Sequence, residues 1–281
     1  MRLPSSSALM YVARLRHIQS IHEIPERRNP DTLVRHFIPL VQRWRSTWLG
    51  RAQLTKLRTE PVYYYLIART KYYDEVLQNA VKEGVRRILI VGCGSDTRPY
   101  RFQSLLRDRN VRVLECDQPE AIRVKEQMAK RWHPSDYVEY LPIDLNDEAW
   151  PQIERWLGAH PEQETLVLIE GVSTYVDENH FTRFLQLLAT NLAPGSRVCY
   201  DYKIRGVHDE LGREGRTVKP FRLSDVCKEV AAFHLEHGLR LEHMELGFQL
   251  CSRLFPDLAV SGVAFFTEDG LVQLRVHDAS M

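Results

Sequence analysis

The sequence lacks the features that mark secreted, disulfide-stapled and membrane-spanning proteins. Its 281 residues include only five cysteines, which are widely separated and never arranged as CxxC. This usage predicts reduced thiols, without disulfides and without a metal site. No apolar run is long enough to cross a bilayer, and the first residues have no uninterrupted apolar segment of the kind that secretion signals contain. These absences favour a cytoplasmic protein.

The sequence also lacks an excess of charge of either sign. Lys and Arg number 38 and Asp and Glu number 37, which gives a formal net charge of +1. A strong basic excess drives binding to nucleic acid and to anionic lipid. The total charge therefore predicts neither nucleic acid nor membrane as a partner. With 44% hydrophobic residues, a chain of this length is expected to form a large buried core.

Two patterns divide the sequence. Residues 1–84 carry apolar side chains at helical spacing and predict an N-terminal helical cap or lid, in which Pro39 kinks or divides the second helix. Residues 85–281 alternate short β-branched runs with helical segments, which predicts an α/β fold with a doubly wound, mostly parallel sheet of the Rossmann-like type. We expect a polar insertion at about residues 203–224, within one structural domain overall.

Seven strands are expected in this sheet. Five come from apolar runs at residues 88–91, 111–116, 137–143, 165–169 and 197–200, and two from runs at residues 246–250 and 259–267.

Glycine or an acid stands at the carboxyl end of each of the first four strands, where ligands bind in an open parallel sheet. Gly92 and Gly94 let the backbone approach a ligand closely, and Asp117 follows the second strand, where an acid can accept hydrogen bonds from ribose. Asp144 and Glu170 follow the third and fourth strands. Each has an ordinary alternative, such as a tight turn for the glycines or a helix N-cap for Asp117. Together they predict a site for a nucleotide-like cofactor.

Two cofactors compete for this site. A dinucleotide fingerprint requires a third glycine where Thr97 stands, and Asp96 would place negative charge beside a pyrophosphate. S-adenosylmethionine has no phosphate and carries a sulfonium cation, which nearby carboxylates favour. The acids therefore indicate S-adenosylmethionine, with an NAD(P)-dependent oxidoreductase as the alternative.

Five motifs carry a family resemblance. They are ARTKYYD at residues 68–74, GCGSDTRPYR at 92–101, ECDQP at 115–119, DL at 144–145 and EGVSTY at 170–175. In these motifs the sequence resembles the leucine carboxyl methyltransferase-like branch of class I S-adenosylmethionine-dependent methyltransferases, from about residue 8 to residue 266. The second string is far rarer than a bare GxG and is the most specific of the five.

The resemblance implies a role for each matching residue. Arg69 would pair with the methionine carboxylate of the cofactor, and Glu170 would lie near its amino group and sulfonium. Gly92 and Gly94 would support the methionine part, Asp117 would hold the ribose, and Asp144 with Leu145 would bracket the adenine. For catalysis, the resemblance places Tyr175 close to the transferred methyl group and leaves Arg98 able to meet an acidic acceptor.

The function that the resemblance implies is O-methylation of a carboxylate or hydroxyl of a small molecule, as in secondary metabolism. A carboxylate acceptor is ionised at neutral pH and needs no base, whereas a hydroxyl acceptor needs one. Nothing in the sequence fixes a histidine beside the methyl group, so no base is assigned. A non-catalytic scaffold that kept the fold is the third alternative.

Overall fold

The computed structural model describes residues 6–147, 149–206 and 219–276. Within these ranges, eight strands form one sheet: β1 Arg87–Val91, β2 Arg112–Asp117, β3 Val138–Pro142, β4 Thr165–Ile169, β5 Arg197–Ile204, β6 Arg222–Leu223, β7 Leu239–Leu246 and β8 Asp269–Val276. Their spatial order is β3-β2-β1-β4-β5-β8-β7, and the two-residue β6 pairs with β5 outside this path. The strands β1 to β5 pair in parallel, whereas β8 is antiparallel to both of its neighbours. The predicted α/β class and mostly parallel sheet are confirmed.

Helices cover both faces of this sheet. They are α1 Ser6–His22, α2 Leu40–Leu57, α3 Pro61–Lys82, α4 Arg98–Arg101, α5 Gln103–Asp108, α6 Pro119–Trp132, α7 Pro151–Gly158, α8 Glu178–Asn191, α9 Cys227–Glu236, α10 Gly247–Leu254 and α11 Pro256–Val260. In the described part of the chain, three 3-10 turns lie between them, at Pro25–Arg27, Leu33–Phe37 and Ser173–Tyr175.

Alternate residues of β1 show why the sheet is covered twice. Ile88 and Ile90 belong to the apolar core that contains α3 and α6, whereas Leu89 and Val91 belong to the core that contains α7, α8 and α9. Successive side chains of a strand point to opposite faces. A strand that is apolar at every position is therefore buried on both sides.

The N-terminal region is helical, as expected. Pro39 divides the predicted second helix, because a 3-10 turn ends at Phe37 and α2 begins at Leu40. Most of α3 is buried in the core beside the sheet, so this helix is part of the wall on which the site is built. The division into a cap of residues 1–84 and a core stays a prediction, and residues 207–218 of the predicted insertion lie outside the described residues.

The prediction of the last two strands was wrong in position. Residues 246–250 begin α10, and residues 259–267 follow from α11 into a loop, while the strands lie at Leu239–Leu246 and Asp269–Val276. The edge strand β7 buries few of its residues, and its register shifts between Leu241 and His243. The apolar residues of β7 therefore form neither a continuous run nor a clean alternation. The amphipathic start of α10 resembles a strand more closely than β7 does, so the strand was predicted there.

Candidate active site

A cavity of about 700 Å³ lies at the carboxyl ends of β1 to β5, roofed by α1 and α3. Eight of the nine residues predicted for the site line this cavity: Arg69, Gly92, Gly94, Asp117, Asp144, Leu145, Glu170 and Tyr175. The ninth, Arg98, does not line it. The topology thus brings together side chains that are separated by about a hundred residues of sequence.

The loop after β1 is shaped by its two glycines. Gly92 has a φ of +69° and Gly94 a φ of +38°, a region that side chains with a Cβ rarely adopt. A Cβ on Gly92 would lie 2.1 Å from Cγ2 of Val172, and one on Gly94 would lie 2.8 Å from Cδ1 of Leu9. The two glycines therefore let the side chains of Val172 and Leu9 pack directly against the loop, and the bare backbone of this loop, which we call the glycine cradle, lines the cavity.

Asp117 closes this loop from the end of β2. Its Oδ2 accepts a hydrogen bond from the Gly94 amide at 2.7 Å, and its Oδ1 accepts one from the Gln118 amide at 2.7 Å. The N-cap of α6 is Gln118, so the alternative interpretation of Asp117 as the helix cap is wrong. Burial raises the pKa of the Asp117 carboxyl. Each oxygen keeps a second lone pair for a further donor, such as a ligand hydroxyl.

Asp144 is tied to the same corner through Gln118. The Gln118 side chain donates to Asp144 Oδ2 at 3.0 Å, and the Asn146 amide donates to Asp144 Oδ1 at 2.9 Å. Asp144 therefore lines the cavity and also forms the turn that its alternative interpretation predicted. The buried side chain of Leu145 provides an apolar wall beside it.

Glu170, at the end of β4, lies between two guanidinium groups. Its Oε1 is 3.1 Å from Arg69 Nε, and its Oε2 is 2.8 Å from Arg98 Nη1. Burial alone would raise the pKa of Glu170, but Arg98 and Arg69 outweigh it and lower the pKa. Glu170 is therefore held as a fixed negative charge at the cavity wall.

The structure adds Asp201, which the sequence analysis missed. Its Oδ2 lies 2.9 Å from Arg69 Nη1, and its Oδ1 accepts a hydrogen bond from the Gly171 amide at 2.7 Å. Burial raises the pKa of this carboxyl. The signal that identified Glu170, an acid directly after a predicted parallel strand, also applies to Asp201, which follows the fifth predicted strand, but it was applied only to the first four strands.

Arg98 lies behind the cavity wall. Its side chain is fully buried, with Nε 3.0 Å from Asp74 Oδ1 and Nη1 2.6 Å from Asp96 Oδ2, in addition to its contact with Glu170. Burial alone would raise the pKa of Asp96, but Arg98 and Lys125 lower it to about 2. The expected contact of Arg98 with an acidic acceptor finds no support, because this guanidinium has no exposed surface. Its geometry is that of a positioning residue for Glu170.

A second buried pair, also missed in the sequence, supports the loop from the α6 side. Lys125 Nζ lies 3.0 Å from Glu115 Oε1 and donates to the carbonyl oxygens of Gly94 and Asp96. Burial lowers the pKa of Lys125, but Glu115 together with Cys93 and Asp96 outweighs this effect and raises it. The cation therefore fixes the carbonyl side of the loop, while Asp117 fixes its amide side.

Tyr175 occupies the mouth of the cavity. It ends the 3-10 turn Ser173–Tyr175, and its amide donates to the Val172 carbonyl at 2.8 Å. With 39% of the residue exposed, Tyr175 stands where a ligand enters. Its proximity to the transferred methyl group stays a prediction.

Two further observations bear on the chemistry of the site. Among the described residues, no group of three His, Cys, Asp or Glu side chains is placed to hold a metal ion. A search of the same residues finds no helix with the length and apolar character needed to cross a bilayer.

The sequence matches the family described as leucine carboxyl methyltransferase over residues 10–189. This match covers more than half of the chain, so the chain belongs to the leucine carboxyl methyltransferase family. The predicted family resemblance is confirmed.

Curated relatives agree with this assignment. A protein of Mycolicibacterium smegmatis is 30% identical over 156 residues, which are 55% of this chain and 48% of the relative. One of Mycobacterium tuberculosis is 29% identical over 184 residues, which are 64% and 57% of the two chains. Both bear the name "Putative S-adenosyl-L-methionine-dependent methyltransferase". The chain spans about half the length of the curated relatives it matches. The predicted cofactor, S-adenosyl-L-methionine, is confirmed.

One similar solved structure is the magnesium protoporphyrin IX methyltransferase of Synechocystis with bound S-adenosylhomocysteine. The similarity has a TM-score of 0.49 and a sequence identity of 11%, and it covers 85% of this chain and 99% of that one. A similarity of this degree carries no information on the substrate of this chain.

Proposed function

We propose that this protein transfers a methyl group from S-adenosyl-L-methionine to an oxygen atom of a small molecule, a carboxylate or a hydroxyl, in cytoplasmic secondary metabolism. The observation that carries the proposal is the ring of carboxylates at the strand ends. Asp117, Asp144, Glu170 and Asp201 all line one cavity beside a glycine cradle. Such a ring favours a cationic ligand and disfavours a pyrophosphate, which argues against the oxidoreductase alternative.

The residues present fit this cofactor. Gly92 and Gly94 line the cavity with bare backbone, against which the methionine part would lie, and Asp117 keeps lone pairs for the ribose hydroxyls. The planar Arg69 guanidinium lines the cavity and suits a bidentate contact with a carboxylate. When bound, S-adenosyl-L-methionine supplies a methyl group on a sulfonium centre. Glu170, kept ionised by Arg69 and Arg98, places negative charge near that centre.

The rest of the cavity suits an apolar acceptor with one polar group. Val62, Leu66 and Phe266 line it together with Lys203 and Tyr65. Lys203 Nζ lies 4.3 Å from the centre of the Phe266 ring and is paired with Asp269 at 2.6 Å. Lys203 would orient an acceptor carboxylate. Placing acceptor and donor in line is the main contribution that the protein makes to such a displacement.

The choice between carboxylate and hydroxyl depends on a base. None of the histidines in the described part of the chain lines the cavity. A carboxylate acceptor needs no base, whereas a hydroxyl acceptor would give its proton to a carboxylate such as Asp269. Both acceptors stay within the proposal, and Tyr175 at the mouth is the residue we place closest to the reacting oxygen.

The proposal is tested by transfer of a radiolabelled methyl group to a panel of aliphatic acids, aryl acids and phenols. Mild alkali releases the label from a methyl ester as methanol and leaves a methyl ether intact, so one treatment separates the two products. We expect transfer to at least one oxygen acceptor and loss of transfer in Glu170→Gln. Transfer to amines or thiols alone would contradict O-methylation, and failure to bind S-adenosylhomocysteine would favour the scaffold alternative.

A further inference from the structure

The balanced total charge conceals a strongly basic stretch in the N-terminal region. Residues 33–57, which contain α2, include no Asp or Glu. The same stretch contains five basic residues: Arg35, Arg43, Arg45, Arg51 and Lys56. No ion pair joins any of these five to a carboxylate in the described ranges. Their charge is therefore available to an external partner.

The orientation of α2 is fixed by buried residues on its inner face. Ser46, Gly50 and Leu54 recur every four residues and are buried. A Cβ on Gly50 would lie 3.0 Å from Cδ2 of His22 and 3.1 Å from Cγ1 of Ile18 on α1. The two helices therefore approach closely along this line. The opposite side of α2, which we call the outer face, points away from the protein.

The outer face is apolar and unusually exposed. Trp44 and Trp48 lie one turn apart and are 60% and 69% exposed. The other large apolar residues exposed on α2 are Leu40, Val41 and Leu49. Arg45 and Arg51 are exposed on the same helix beside them. An exposed stripe of Trp and aliphatic residues interleaved with arginines is typical of helices that lie in a membrane interface.

A groove next to the outer face suits a lipid better than a protein surface. It has a volume of about 820 Å³ and is lined by Trp44, Trp48 and Trp132 together with Arg35 and Arg43, and no acid among the described residues lines it. The two arginines without a neighbouring acid indicate a positive potential above an apolar concave surface.

We propose that the outer face of α2 binds the surface of an anionic membrane. Trp44 and Trp48 enter the headgroup region, while Arg45 and Arg51 contact the lipid phosphates. The total charge of the chain predicts no such binding, because it averages over residues that do not face the membrane. The local charge of α2 matters more than the total charge of the chain, since electrostatic attraction falls off within about 8 Å at physiological salt.

The test uses the full chain and vesicles of phosphatidylcholine with and without phosphatidylglycerol. We expect co-sedimentation with the anionic vesicles, weakened by high salt, and a blue shift of tryptophan fluorescence. Brominated lipids should quench this fluorescence in the wild type. Each of the changes Arg45→Gln and Arg51→Gln should weaken binding about fivefold, the effect expected for one basic residue near such a surface. The change Trp44→Ser with Trp48→Ser should abolish the blue shift.

A matched control is Leu235→Ser on α9, since Leu235 is 64% exposed and lies on a helix that packs against β7. It should leave vesicle binding unchanged. Every variant should bind S-adenosylhomocysteine as the wild type does, which shows that it is folded. Absence of binding to anionic vesicles would overturn the proposal. So would a chain that self-associates through Trp44 and Trp48 in sedimentation velocity, because the outer face would then be an interface between two copies.

Discussion

The Arg69 guanidinium and the Asp201 carboxylate meet at 2.9 Å across the cavity wall, although 132 residues separate them in sequence. Asp201 also accepts a hydrogen bond from the Gly171 amide, and Arg69 also contacts Glu170. The ends of β4 and β5 are therefore joined to α3 through one guanidinium. This link sets the position of Arg69 beside the proposed cofactor.

We expect Asp201→Asn to lower both stability and cofactor affinity. The amide can still accept from Gly171 but leaves Arg69 without one of its two charge partners, and breaking a buried ion pair costs roughly 3–5 kcal/mol. Urea unfolding and calorimetric titration with S-adenosylhomocysteine measure the two effects. Arg69 paired to Glu170 alone should bind the ligand more weakly. Unchanged affinity in a folded variant would show that Asp201 does not position Arg69.

Asp117→Ala should weaken the binding of S-adenosylhomocysteine by about 1–3 kcal/mol, because the ribose hydroxyls lose their acceptor. The variant also loses the bond to the Gly94 amide. Asp136→Ala is the matched control, since the Asp136 side chain is 84% exposed and does not line the cavity. Equal affinity of the two variants would mean that Asp117 does not hold the ribose.

Gly92→Ala should prevent cofactor binding for a steric reason that a second change relieves. The new Cβ would lie 2.1 Å from Cγ2 of Val172 and 3.4 Å from its Cβ. Adding Val172→Ala removes the clash and leaves the cost of a positive φ, about 1–2 kcal/mol. We therefore expect the double variant to recover stability and part of the affinity, as measured by thermal unfolding and calorimetry. A double variant no better than Gly92→Ala would contradict this steric account.

The pair Lys125 and Glu115 should behave as a unit. Lys125→Met leaves the fully buried Glu115 without its cation, and we expect a loss of roughly 3–5 kcal/mol in the free energy of unfolding. Adding Glu115→Leu removes the uncompensated charge, although it also removes the acceptor of the Tyr100 hydroxyl. The double variant should therefore be more stable than Lys125→Met in urea unfolding. Additive losses would mean that the two residues are not coupled.

His234 should give the fold a pH dependence. The residue is fully buried, the Tyr200 hydroxyl is 2.6 Å from its Nε2, and burial lowers its pKa to about 4. An unfolded histidine titrates near 6.5. The unfolded state therefore binds more protons between these values, and stability is lost as the pH falls. Relative to His234→Gln, the wild type should lose about 2 kcal/mol between pH 6.5 and pH 5. The exposed His160→Gln should keep the wild-type slope, and equal slopes in all three proteins would contradict the assignment.

Much of the fold followed from patterns that are local in sequence. Strands β1 and β4 contain continuous apolar runs because both of their faces are buried, and this property is visible without a structure. The edge strand β7 was misplaced because only one side of it is buried and a register shift breaks its alternation.

The candidate site divides in the same way. Gly92, Asp117 and Glu170 stand at strand ends, so their position after a predicted strand is enough to identify them in the sequence. The pairing of Arg98 with Asp74 and Asp96 depends on how α3 packs against the loop after β1, which no spacing in the sequence specifies. Arg98 was therefore correctly predicted to lie near the cavity, but its side chain lies behind the cavity wall and does not face the ligand.

Isothermal titration of the purified protein with S-adenosylhomocysteine, with NADH and NADPH as parallel titrants, decides whether the carboxylate-ringed cavity binds S-adenosyl-L-methionine. We expect saturable binding of S-adenosylhomocysteine, absence of binding by either nicotinamide cofactor, and weaker binding of S-adenosylhomocysteine in Asp117→Ala. Binding of a nicotinamide cofactor alone, or of none of the three, would contradict this expectation.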